Sequence, residues 1–225
     1  MMPSSLRLSI LGDSISTYRG ISNDASACRS TAGNPCYYRA PFPIRDTYWM
    51  RLIDALGLTL CVNNSWSGGN LSGKNDDFSG VRRASALSRD DGEHPDLIIV
   101  FMGINDLGRN VAPTVFSADY TETLLTIKKQ YPSAHVCCIN LPDRDIIPVS
   151  RTECFNHIIE DAAKAAGERF FVADLYHSRL RRETYYFNTM DGLHPDPDGM
   201  RMIAEVAEIA IREHCKDLPL REIYT

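Results

Sequence analysis

The chain has 225 residues, 44% hydrophobic and 24% charged, enough for one globular domain with a substantial core. Its net charge is −5, and no basic run is longer than a pair such as Lys128-Lys129 or Arg181-Arg182, which excludes nucleic acid as the expected partner. No stretch approaches the roughly 18 apolar residues of a membrane span, so stable membrane insertion is not expected.

In chain order, Leu6–Leu11 is a short apolar run bounded by Gly12. It contains Arg7 and Ser9 and leads directly into Gly12-Asp13-Ser14, so it reads as a buried first strand rather than a targeting segment. The corresponding localisation is cytoplasmic. Arg19–Asp46 is the longest irregular stretch, with Tyr37, Tyr38, Pro41, Phe42 and Pro43, and reads as a loop insertion forming a rim or lid. Tyr48–Leu56 is helical, with Met50, Ile53 and Leu56 on one face, and Trp49 reads as core. Leu58–Val62 is a short strand. Leu97–Met102 is a continuous apolar run, as expected of a strand buried on both faces. Val115–Tyr131 is a helix, Ala134–Leu141 a strand closed by Pro142, Arg151–Ala166 a helix ended by Gly167, and Phe170–Asp174 a strand. Asp198 reads as the cap of a last helix striped by Met202, Ile203, Val206, Ile209 and Ala210.

Strands separated by helices require crossovers, hence a parallel sheet with helices on both faces. With no repeat or linker, residues 1–225 read as a single α/β domain. Ligands of such sheets bind beyond the carboxyl ends of the strands. Ser14, Gly68, Asn105 and Asp106 all fall there, each a short way past a predicted strand end.

The seven cysteines include no CxxC pair and are not clustered with histidine, so no metal site is expected. Cys61, Cys137 and Cys138 sit in strand-like runs and read as core. Cys28 and Cys36 share a loop and could pair, though two reduced thiols are favoured.

Chemistry concentrates in four short blocks. Ser14 stands where the first strand runs out and is a candidate nucleophile, a role that needs a base within reach. Asp191 and His194, three residues apart, can supply that base and its orienter. The Asn105 amide and the Gly68 backbone N–H are candidate donors to an oxyanion, and Asp106 can brace the loop. Taken singly, each block is ordinary turn or cap punctuation. Tyr18, Trp66 and Leu193 are candidates to line a substrate pocket. His94, His135, His157, His177 and His214 read as structural or surface residues.

Taken in order, Gly12-Asp13-Ser14, Asn63 to Gly68, Gly103-Ile104-Asn105-Asp106 and Asp191-Gly192-Leu193-His194 resemble the four blocks of the SGNH hydrolase superfamily, the GDSL-type esterases and lipases. The resemblance spans the whole domain and implies a three-layer α/β/α sandwich of flavodoxin-like type. It implies Ser14, Asp191 and His194 as catalytic residues, with Ser14 N–H, Gly68 N–H and the Asn105 amide as the oxyanion hole. Three departures stand out: Ile15 follows the serine in place of leucine, Ser65 occupies a position often held by glycine, and the insertion at 19–46 is unlike the smallest members.

The implied activity is cofactor-free hydrolysis of a small carboxylic ester through an acyl-enzyme, with a carbohydrate O-acetyl ester as the favoured substrate. A thioesterase or lysophospholipase-type lipase is the alternative, and a non-catalytic binding protein a more distant one. A phosphoryl-transfer protein is disfavoured because Gly12-Asp13-Ser14 lacks the glycines and lysine of a phosphate loop. The Gly-x-Ser-x-Gly elbow of α/β-hydrolases is absent.

Overall fold

The computed structural model describes residues 5–18 and 42–222. Most of the predicted 19–46 insertion, including Tyr37, Tyr38, Cys28 and Cys36, lies outside the described residues. Five strands, β1 (Arg7–Gly12), β2 (Thr59–Ser65), β3 (Leu97–Phe101), β4 (His135–Ile139) and β5 (Phe170–Ala173), form one sheet in the order β2-β1-β3-β4-β5. Every pairing is parallel. This order is that of the flavodoxin-like doubly wound fold.

The central strand β3 is buried throughout, because both its faces carry helices. Helix α1 (Tyr48–Leu56) packs with α7 (Pro197–His214), and α4 (Pro113–Gln130) with α5 (Val149–Ala166), giving the three-layer α/β/α arrangement. Leu52 and Leu56 of α1, Ile203 and Ile211 of α7, and Phe116, Leu124 and Phe155 of α4 and α5 bring their apolar faces to the sheet core. Trp49 is buried there as expected, as are Cys61, Cys137 and Cys138.

Most boundaries shift by one or two residues from the sequence expectation, and two differences bear on the site. Strand β2 runs three residues past Val62, because Asn63, Asn64 and Ser65 pair with Ile10, Leu11 and Gly12 of β1. These polar side chains are buried but satisfied. Asn63 Nδ2 donates to Ser16 O at 2.8 Å, Asn64 Nδ2 to Ala86 O at 2.9 Å, and the Ser65 hydroxyl to Asn63 Oδ1. The last helix is capped by Asp196, not Asp198: its side chain accepts from Gly199 N at 2.8 Å, with Pro197 as the first helical residue. Asp198 lies in the first turn.

Three short helices have too few residues to show a period: α2 (Gly80–Arg83), α3 (Ile104–Gly108) and α6 (Arg182–Tyr185). Among the described residues no helix is long and apolar enough to cross a membrane.

Candidate active site

Ser14 opens a single 3-10 turn, Ser14–Ser16, immediately beyond β1. Asp13 caps that turn, its Oδ1 accepting from Ile15 N at 3.0 Å, so the chain reverses sharply and holds the serine at the sheet edge. Gly12 permits this. A Cβ there would lie 2.4 Å from Ser16 Oγ and 2.7 Å from Ser65 Oγ, so any side chain would force the nucleophile turn away from β2. Ser65, where the resembled family often has glycine, thus fills the space beside Gly12.

Asp191 and His194 come from the loop before α7. Asp191 Oδ1 accepts from Leu193 N at 3.0 Å and His194 N at 2.8 Å, closing a tight Asx-type turn. The Tyr185 hydroxyl donates to Leu193 O at 2.8 Å and Arg144 Nη2 to Gly192 O at 3.1 Å, so two side chains brace successive carbonyls of this loop. The turn brings His194 Nδ1 to 2.7 Å from Asp191 Oδ2 and His194 Nε2 to 2.9 Å from Ser14 Oγ.

Burial alone would raise the Asp191 carboxyl, but hydrogen bonds from His194 N, His194 Nδ1 and Leu193 N outweigh it and hold it below the usual range. An ionised Asp191 only accepts, which fixes the hydrogen on Nδ1 and leaves Nε2 to accept from the Ser14 hydroxyl.

The oxyanion candidates are Ser14 N, Gly68 N and the Asn105 amide. Gly68, in the loop after β2, has φ +73°, a left-handed conformation that suits glycine. Among the described residues neither Ser14 N nor Gly68 N donates to a protein acceptor. Asn105, in the first turn of α3, gives its amide to Gly69 O at 3.0 Å and lies 3.4 Å from Asp13 Oδ2. Asp106 braces the loop after β2 as expected, accepting from Leu71 N at 2.7 Å and Ser72 N at 2.9 Å.

Three buried ionisable groups underlie this geometry. Burial raises both Asp13, to about 7, and Asp106. Arg83, only 8% exposed, is lowered to about 10 by burial and gives its donors to Gly12 O at 3.0 Å, Phe78 O at 2.8 Å, Asn64 O and Asn64 Oδ1. It ties the ends of β1 and β2 together beneath the serine.

The raised Asp13 has a consequence for stability. An acid whose folded-state pKa exceeds its unfolded value contributes stability at low pH that is lost as pH rises through the folded value. Asp13 therefore favours folding below about pH 4 and loses that contribution as pH rises to about 7. Urea unfolding of wild type and Asp13→Asn from pH 4 to pH 8 should show the variant gaining on wild type by up to about 1.4 kcal/mol per pH unit. A pH-independent difference would show that Asp13 stays ionised.

The predicted pocket residues are only partly gathered. Trp66 stacks on Phe78 with ring centroids 4.1 Å apart, and Leu193 lies within the acid–base loop. Tyr18 turns its hydroxyl to Phe42 O at 2.7 Å. Of the remaining histidines, His135 and His177 have acidic partners, Asp217 and Asp174. Asp174 and His177 repeat the spacing of Asp191 and His194 at the end of β5, a pattern the sequence reading passed over. It also passed over Arg83, Arg109, Arg144 and Tyr185 as site residues, since nothing in the sequence separates a buried arginine from a surface one. Among the described residues no cluster of metal-ligating side chains occurs.

The model of the GDSL-like Lipase/Acylhydrolase family matches residues 10–202. No curated protein matches the chain. A Bacteroides uniformis structure described as a GDSL-like lipase is 23% identical, with a TM-score of 0.66 over 95% of this chain and 97% of that one. A Lactobacillus plantarum protein is 19% identical, with a TM-score of 0.70 over 94% of this chain and 98% of that one. A family two carbohydrate esterase from Clostridium thermocellum, in complex with cellohexaose, is 17% identical, with a TM-score of 0.67 over 95% of this chain and 65% of that one. The chain belongs to the GDSL-like lipase/acylhydrolase family, a group of esterase- and lipase-type hydrolases.

Proposed function

We propose that this member of the family is a serine esterase that hydrolyses small carboxylic esters through an acyl-enzyme. The observation that carries the reading is the continuous relay from Asp191 Oδ2 through His194 to Ser14 Oγ, with contacts of 2.7 and 2.9 Å. In this reading His194 Nε2 takes the hydroxyl proton as Ser14 Oγ attacks the ester carbonyl. Asp191 stabilises the imidazolium that forms. His194 then returns the proton to the leaving alcohol, and the same imidazole activates the water that releases the acid.

The tetrahedral oxygen would be held by Ser14 N, Gly68 N and Asn105 Nδ2. The first two have no competing protein acceptor among the described residues. Asn105 has two amide hydrogens. Gly69 O takes one at 3.0 Å, while Asp13 Oδ2 is distant at 3.4 Å and biased toward its neutral form by burial, which makes it a poor acceptor. That second hydrogen is the one available to an oxyanion.

Substrate class is a finer reading. Trp66 and Phe78 stack beside the Gly68 loop, and Phe187, 80% exposed, lies near the acid–base loop. Exposed aromatic faces suit a ring-containing partner, and the likeness to a carbohydrate esterase points to an O-acetylated sugar. Hydrolysis of 4-nitrophenyl acetate, butyrate and octanoate, beside an acetylated sugar, tests this. Preference for acetyl esters supports the reading. Preference for octanoate would overturn the small-ester part in favour of a lysophospholipase-like activity, and no hydrolysis of any ester by folded protein would count against the whole.

A further inference from the structure

Many arginines of this acidic chain meet a carboxylate: Arg7, Arg51, Arg89, Arg182, Arg201 and Arg212 each form an ion pair. The two that flank the candidate site have none among the described residues. Arg109 reaches from the end of α3 to the loop after β2, donating to Gly68 O and Asn70 Oδ1, each at 2.7 Å. A Cβ on Gly68 would lie 3.4 Å from its Nη2, so the guanidinium lies directly against the glycine.

Arg144 stands beyond β4, on the other side of β1 and β3 along the sheet edge, and is 8% exposed. It gives Nη2 to Gly192 O at 3.1 Å, while its Nε is buried without an acceptor. Burying a guanidinium with one backbone acceptor and no ion pair is costly, and an anionic ligand offsets that cost.

Nearby acids supply only part of the missing charge. Asp143 is taken by Arg182, and Asp191, ionised and hydrogen-bonded to a neutral His194, is the one carboxylate of the acid–base loop. Asp13 and Asp106 are both biased by burial toward the neutral form. Arg83 beneath the serine has no ion pair among the described residues either. Three guanidinium groups without an ion pair among the described residues, those of Arg83, Arg109 and Arg144, thus stand around the site in a chain of net charge −5.

We propose that the site takes esters bearing an anionic group, a carboxylate or phosphate, close to the scissile bond, with Arg144 and Arg109 as the groups that recognise it. The inference rests on the serine-esterase reading and adds the substrate's charge to it. Guanidinium suits either anion through paired N–H donors.

Three matched pairs separate the sources. 4-Nitrophenyl hydrogen glutarate against 4-nitrophenyl pentanoate places a carboxylate on the acyl side. O-acetyl-lactate against its methyl ester places it on the alcohol side, and O-acetyl-glycerol phosphate against acetylglycerol replaces it by phosphate. In at least one pair the charged member should have the higher kcat/KM, by about tenfold or more, and the preference should weaken with added salt.

Arg144→Gln should reduce the charged-to-neutral ratio of kcat/KM roughly 10- to 100-fold, while Arg144→Lys retains part of it. Arg109→Gln should reduce the ratio as well. Because the readout is a ratio, a general loss of activity in a variant does not imitate it. Neutral members favoured in all three pairs, or a ratio unmoved in both glutamine variants, would overturn the inference. Wild-type protein that takes up a fluorophosphonate on Ser14 yet ignores substrate charge would leave the esterase reading standing and this one fallen. No adduct and no hydrolysis would remove both.

Discussion

Ser14→Ala is expected to lower kcat on any hydrolysed ester by roughly 10⁴- to 10⁶-fold, with little change in KM. The hydroxyl is the group through which the Asp191–His194 pair would act, with His194 Nε2 2.9 Å from Ser14 Oγ. The substitution removes one hydrogen bond and leaves Gly12, the Asp13 cap and the backbone N–H of residue 14 in place, so the fold should persist. Asn105→Ala should behave differently. It removes a single oxyanion donor and should cost about 10²- to 10³-fold in kcat, with the serine still reactive. Steady-state kinetics on 4-nitrophenyl acetate separates the two. A loss below about 100-fold in Ser14→Ala would show that another group does the chemistry.

Arg83→Met is expected to destabilise the protein by about 3 kcal/mol or more, the largest stability effect anticipated for a residue near the site. The guanidinium satisfies Gly12 O, Asn64 O and Phe78 O from one buried position. A thioether of similar length donates to none of them. Gly12 O keeps its second partner, Trp66 N, at 3.1 Å, but Phe78 O and Asn64 O would be left without the arginine. Removing the buried cation also removes its desolvation cost, which is why the net figure falls below the sum of the individual bonds. Denaturant midpoints of wild type, Arg83→Met and Arg83→Lys test this. The lysine variant should lie between the others, since one ammonium cannot span the separated carbonyls. A methionine variant within 0.5 kcal/mol of wild type would contradict the account.

The parts legible from sequence and those that were not differ for physical reasons. β3 was clear because a strand covered on both faces must be apolar throughout, and Leu97–Phe101 is. Helix α1 was placed correctly from its apolar spacing, but its buried face is Tyr48, Trp49, Leu52 and Leu56, while Met50 and Ile53 are only half-buried. The end of β2 was missed because Asn63, Asn64 and Ser65 are polar, and hydropathy does not register that each finds a partner once buried. Asp196 was passed over for Asp198 because two aspartates flank Pro197, and only the backbone geometry at position 196 selects the cap.

The site divides along the same line. Ser14, Asp191 and His194 were identifiable because the type and spacing of each residue carry chemistry, and they meet at hydrogen-bonding distance. Arg83, Arg144 and Tyr185 support that meeting from α2, from beyond β4 and from α6, through bonds to backbone carbonyls. A carbonyl is the same at every position, so no sequence pattern announces such a partner. The unpaired arginines around the site are hidden for a further reason: the net charge has the opposite sign, and only the structure reveals which arginines meet a carboxylate.

The central claim is that Ser14 is an activated nucleophile. The most direct measurement is exposure of the purified protein to a fluorophosphonate, followed by intact-mass analysis and peptide mapping. A single adduct on Ser14, lost in Ser14→Ala and slowed in His194→Ala, is the predicted result. No adduct on folded protein, or an adduct on another residue, would contradict it.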